Sequence, residues 1–216
     1  MSAVRHPPGR DGRLWLRRRL ATARRGADLL ERKLRILRRE EQRFAALAER
    51  TAGEWDRSCR DAETWFLRAA VVAGVQGVRP DPALPAADVD VVWQSVMGVR
   101  YPASAAVRVP PSHPQPPVDA TAALPVAREA YRAAVQAAVA HAVADAAVRV
   151  VSAEIETTRT RVRAIRDRWV PRLEDALTAL ELALDESERE DGVRLRWAAG
   201  RSGGGGGRGR GWAGRE

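Results

Sequence analysis

The sequence predicts an all-α-dominated chain: a long two-helix antiparallel coiled coil, a short β-hairpin in a proline-rich middle, and a disordered Gly/Arg tail. Three observations predict it. Apolar residues recur in 3–4 spacing over both ends of the chain. Most of its 13 prolines fall between the two periodic regions. Glycine and arginine dominate the last 17 residues.

The first periodic region carries Leu16, Leu20, Ala23, Ala27, Leu30, Leu34, Leu37, Glu41, Phe44 and Ala48, in steps of four and three. That is a heptad seam on one helix face, with Glu41 its one charged member. It continues through Ala52, Trp55, Cys59, Ala62, Phe66, Ala69 and Ala73, after a stutter at Phe44, Ala48 and Ala52. Asp11 serves as the expected N-cap, and Gly74 with Gly77 as the stop. The expected helix, residues 13–74 after a flexible N-terminus of residues 1–12, is about 90 Å long at 1.5 Å per residue.

The middle segment, residues 75–125, contains "DVDVVWQSVMGVRYP" and "AAVRV", which are β-prone and read as a hairpin. "PPSHPQPPVD" reads as a loop. The second helix is expected over residues 126–199. It opens on an alanine-rich run and carries the seam Val148, Val151, Ile155, Thr158, Val162, Ile165 and Trp169. A stutter at Ile165, Trp169 and Leu173 precedes Leu177, Leu180 and Leu184, and Pro171 should bend the helix there. Two such helices joined by an insert most simply fold back on each other. The tail, 200–216, is expected to be disordered.

Composition narrows function. Lys and Arg total 37 against 28 Asp and Glu, a net charge of +9, which points to anionic partners. Lys33 is the only lysine, so coding bias competes as a cause of the arginine excess. With two Phe and two Tyr the chain has little to build a wide core from. The single cysteine, Cys59, permits no internal disulfide, and a reducing compartment is the simpler expectation. No uninterrupted run of 18 apolar residues exists and the N-terminus has no apolar signal core, so no membrane insertion is expected and the location is expected to be cytoplasmic.

No catalytic, cofactor or metal site is expected. His6, His113 and His141 have no partners at metal-ligand spacing. His141 and Asp145 form an i, i+4 helix pair at most. The glycines at 204, 206 and 209 satisfy G-x-G-x-x-G without the strand and helix that the motif needs. The carboxylates of "LDESERED" read as a solvated charged face.

"LATARRGADLLERKLRIL" resembles the N-terminal helix of the D subunit of the V-type ATPase/ATP synthase family. "VMGVRYP" is similar to that family's mid-chain strand, "TRTRVRAIRDRWVPRLEDALTAL" to its C-terminal helix, and "EREDGVRLRW" to the segment after it. The four matches occur in family order over residues 14–197. The chain departs from the family pattern at Arg163, where Asn is usual, at Arg166, where an acidic residue is usual, and in "RWAAG" after Leu195. The resemblance implies a non-catalytic central rotor shaft without cofactors. It implies as partners the hexamer of A and B subunits, the F subunit, and the subunit joining the shaft to the membrane ring. It also implies coupling of ATP hydrolysis or synthesis to proton or sodium transport, at a site peripheral to the membrane. Arg17, Arg18, Arg19, Arg24, Arg25, Arg194 and Arg196 are the candidate rotor–stator contacts, since arginine presents a fixed fork of donors to carboxylates. A structural coiled-coil scaffold and a basic nucleic-acid-binding rod remain open alternatives; the second requires patterned aromatics.

Overall fold

The computed structural model describes residues 4–77, 86–110 and 122–203. Helix α1 spans Gly9–Gly77, and strands β1 (Asp88–Val96) and β2 (Val99–Arg108) form an antiparallel hairpin. Helix α2 spans Ala123–Arg163, a π-helical turn occupies Ala164–Trp169, and α3 covers Val170–Gly203. The chain is thus mostly helical with one two-stranded sheet. It divides into two compact units, residues 1–29 with 161–216, and residues 30–160.

Several expectations need correction. Helix α1 begins at Gly9 inside the segment expected to be flexible, so Asp11 lies in its first turn instead of capping it. Carboxylates are favourable there because the first N–H groups lack intrahelical partners. Gly74 leaves the helical conformation (φ 69°, ψ 162°), which a side chain would resist, so the break falls where the glycine permits it. Helix α2 starts at Ala123, ahead of the expected 126, because Pro125 in the first turn loses no intrahelical hydrogen bond. Helix α3 extends past residue 199 to Gly203; the remainder of the expected tail, 204–216, lies outside the described residues, as does most of the expected loop at 110–119. The helical run Ala123–Ala199 also contains a stretch long and apolar enough, by length and composition alone, to cross a membrane, although the sequence reading expects no such span. Helical alanine supplies much of that apolarity, and Ala134, Ala144 and Ala147 are buried in the protein.

Pro171 acts one turn earlier than the bend expected of it. In an α-helix its ring would press on the carbonyl four residues back, and its missing N–H would leave that carbonyl unbonded. The six-residue π-turn ends just before it, and the Val170 N–H reaches back to the Ile165 carbonyl, five residues away. The stutter at Ile165, Trp169 and Leu173 coincides with this turn.

In the unit built from 1–29 and 161–216, Leu16, Leu20 and Leu173 form the core, with Trp15, Ala23, Trp169, Leu177 and Leu180 packed around them. Each leucine so buried contributes about 1.5–3 kcal/mol. Arg10–Glu188 (3.0 Å), Arg17–Glu181 (2.6 Å) and Arg24–Glu174 (2.6 Å) flank this core. Each step of seven forward on α1 is a step of seven back on α3, so the two segments run antiparallel.

In the unit 30–160, Leu34, Leu37, Phe44, Ala62 and Ala69 of α1 are buried, as are Ala127, Ala134, Ala144, Ala147, Val151 and Ile155 of α2. The pairs Lys33–Glu154, Glu41–Ser152 and Thr51–His141 again advance along α1 while receding along α2. Thr51, seven residues after Phe44, takes a buried position in place of Ala52; its hydroxyl donates to the Leu47 carbonyl at 2.9 Å, which makes the polar side chain compatible with burial. Trp55 and Phe66 lie nearer the surface, 41% and 37% exposed; Trp55 stacks on His141 and Phe66 packs edgewise on Tyr131.

The hairpin closes through Met97 and Gly98, both at positive φ (50° and 79°), as a two-residue turn whose twist matches the strands. Its register shifts at Val92/Trp93, opposite Ser104 and Pro102, where proline cannot donate to the ladder. Tyr101 anchors β2 on α1 through the Phe44 ring, with centroids 4.8 Å apart.

Candidate functional site

The seven candidate contact arginines divide into two groups. Arg17 and Arg24 are held by Glu181 and Glu174 of α3. Arg194 binds Glu190 and Asp191 one turn back, and Arg196 Nε donates to the Gly192 carbonyl at 3.2 Å. Among the described residues no carboxylate lies against Arg18, Arg19 or Arg25, all three exposed. The heptad geometry explains the split: positions 10, 17 and 24 flank the seam and face α3, whereas 18 and 25 project one residue further around the helix.

Arg19 has a different partner. Its guanidinium lies 5.2 Å from the Trp15 ring centroid and 5.5 Å from that of Trp169. Trp15 sits one turn before it on α1, and the π-turn delivers Trp169. Both indoles are half-buried against the Leu16–Leu173 core. An open groove of about 550 Å³ runs beside this stack, lined by Trp15, Arg18, Arg19, Thr22, Gly26 and Trp169 among others. The seam pattern alone gives Trp15 no role; its i, i+4 spacing to Arg19 is the signal in the sequence that points to it.

The remaining seam residues are placed as follows. Leu16, Leu20, Leu34, Leu37, Phe44, Ile155, Val162 and Leu173 are buried, while Leu30, Ile165, Trp169, Leu177, Leu180 and Leu184 are half-buried. Glu41 accepts a hydrogen bond from the Ser152 hydroxyl at 2.6 Å, which accounts for a carboxylate in the seam. Asp145 pairs with Arg149, not with His141, whose Nδ1 lies 3.2 Å from the Ala48 carbonyl. The acidic run near 185–191 is engaged by Arg10, Arg189 and Arg194. Cys59 is a half-buried free thiol. Among the described residues there is no group of three or more His, Cys, Asp and Glu placed to hold a metal.

The family described as the ATP synthase D subunit matches residues 14–200. The chain belongs to that family. Its relatives include the V-type ATP synthase D subunit of Thermotoga neapolitana, 28% identical over 193 residues, which cover 88% of this chain and 94% of the relative. The A-type ATP synthase D subunit of Methanopyrus kandleri is 31% identical over 195 residues, covering 88% and 83%. That of Pyrococcus horikoshii is 28% identical over 202 residues, covering 88% and 91%. The match runs through all three helices and the hairpin, so this is a central-stalk subunit of a V/A-type ATP synthase.

Proposed function

We propose that the chain is the rotor shaft of that stalk, a non-catalytic subunit without cofactors. In this reading α1 and the α2–α3 run form a two-helix antiparallel coiled coil that enters a hexamer of A and B subunits. The F subunit and the subunit joining the shaft to the membrane ring grip it elsewhere, and the assembly is cytoplasmic and peripheral to the membrane. The expected division into residues 13–74 and 126–199 as shaft strands, 75–125 as insert and 200–216 as tail is retained, with the helix ends moved as described. The observation that carries the reading is the family match along 14–200, supported by the heptad-spaced ion pairs that tie α1 to α3.

The mechanism follows from asymmetry. A rod within a threefold ring presents a different face to each catalytic pair. Differential contact biases each pair toward an open or closed state, and a third of a turn permutes those states. ATP hydrolysis then drives rotation and ion transport, or ion flow drives synthesis. Arg18, Arg19 and Arg25 are the proposed contacts among the seven candidates. Arg17 and Arg24 serve chiefly to tie α1 to α3, and Arg194 and Arg196 to steady the last turns of α3.

The test is a reversible lock. Leu14, 49% exposed near the start of α1, is changed to Cys in a Cys59→Ala background and joined to a cysteine placed on a facing B subunit. Oxidation should stop multi-site ATP turnover and reduction should restore it. Undiminished ion-coupled turnover in the verified crosslinked complex would overturn the shaft reading and leave a static scaffold.

A further inference from the structure

We infer that the groove beside Trp15, Arg18, Arg19 and Trp169 is a docking site for an aspartate or glutamate side chain on a subunit of the surrounding ring; this rests on the shaft reading above. Three observations favour a carboxylate as its occupant. First, Arg10, Arg17 and Arg24 each have a carboxylate supplied by α3, whereas Arg18 and Arg19, on the same turns, have none among the described residues. Second, the Arg19 guanidinium is fixed by two indoles, at 5.2 and 5.5 Å, so its N–H edges are presented without the loss of rotamer freedom that a mobile arginine incurs. Third, the groove wall is divided: Trp15, Ile165, Trp169 and Ala23 are apolar, and Arg18, Arg19 and Thr22 are polar. The methylene arm of a glutamate or aspartate fits the apolar part while its oxygens meet the guanidinium edges. Thr22 itself is occupied, since its hydroxyl donates to the Arg18 carbonyl at 2.9 Å.

The same stack argues against a nucleobase. Stacking of bases needs a free aromatic face, and Arg19 lies over both rings. The feature left facing outward is a pair of planar cations, which bind carboxylates with defined geometry.

The experiment uses the full chain and the isolated hexamer of A and B subunits, with binding measured by interferometry at several NaCl concentrations. Arg18→Glu and Arg19→Gln are compared with Arg57→Glu, which reverses an exposed arginine in the other unit. Circular dichroism confirms that each variant keeps its helix content. Arg18→Glu is expected to weaken binding about tenfold at low salt and Arg19→Gln several-fold, each with a shallower salt dependence, while Arg57→Glu changes it less than about twofold. Wild-type-like binding by both groove variants overturns the docking site and leaves the shaft reading standing. Failure of the wild-type chain to bind the hexamer overturns both. A single-stranded oligothymidine that binds the wild type in stoichiometric amount, and loses binding on Arg18→Glu, overturns the carboxylate in favour of nucleic acid.

Discussion

Leu173→Ala is the sharpest test of how α1 and α3 are held together. Leu173 is fully buried between Leu16 and Leu20, and Leu16 is fully buried as well. Truncation removes three carbon atoms, a transfer loss of about 2.4 kcal/mol at roughly 0.8 per methylene. A cavity contribution adds to this, but it is small here. The core is one side chain deep, and its neighbours Trp169, Leu177 and Leu180 are only half-buried, so the gap collapses or opens to solvent. The expected loss is therefore about 2.5–3.5 kcal/mol, toward the lower end of the range for buried leucines. Leu182→Ala is the matched control, because Leu182 is 65% exposed on the same helix and the same propensity change applies. It should cost less than about 0.5 kcal/mol. Urea unfolding followed by circular dichroism at the helix band and by tryptophan emission reports both, Trp15 and Trp169 lying against the affected core. A loss below about 1 kcal/mol for Leu173→Ala, or one equal to that of Leu182→Ala, would refute the assignment of this core as the principal tie between α1 and α3.

Two further outcomes are expected. Arg17→Glu and Glu181→Arg should each cost about 0.5–1 kcal/mol, with the double exchange restoring most of it and 1 M salt reducing all three effects, measured as a double-mutant cycle in urea. Met97→Asn should slow amide exchange in β1 and β2, because asparagine tolerates the positive φ at the first turn position better than methionine; Gly98→Ala at φ 79° should speed it.

The helices are legible in the sequence because burial in a two-helix pairing repeats at a fixed spacing. Leu16, Leu20, Leu34 and Leu37 declare the face that must be covered. The hairpin is legible from the change to β-branched residues around Val89 to Val96, but its turn is not: "VMGVRYP" reads as strand, and the turn falls inside it at Met97–Gly98. The π-turn is not, since a stutter is compatible with either a relaxed supercoil or an inserted residue, and only the clash at Pro171 selects the second. Thr51 escapes the pattern because its burial depends on a hydroxyl bonding back to its own helix, which no apolar spacing records. The candidate contact arginines are hardest. Residue type and position single out seven, yet whether an arginine is spent on α3 or left outward depends on which carboxylate lies opposite. Glu181 and Glu174 are 164 and 150 residues away in sequence from Arg17 and Arg24, and they reveal nothing until the helices are paired.

Lys33 is the chain's only lysine, and its ammonium lies 2.6 Å from Glu154 with the side chain only 21% exposed. An acylating reagent needs room to approach the amine, and that approach is hindered while the pair is closed and the side chain largely covered. Lys33 is therefore the one side-chain amine such reagents can acylate, and the 36 arginines do not compete with it. Its labelling rate, read by mass spectrometry, gauges how often this segment of α1 parts from α2, and a load that twists the pairing would register there as a change in chemical half-life.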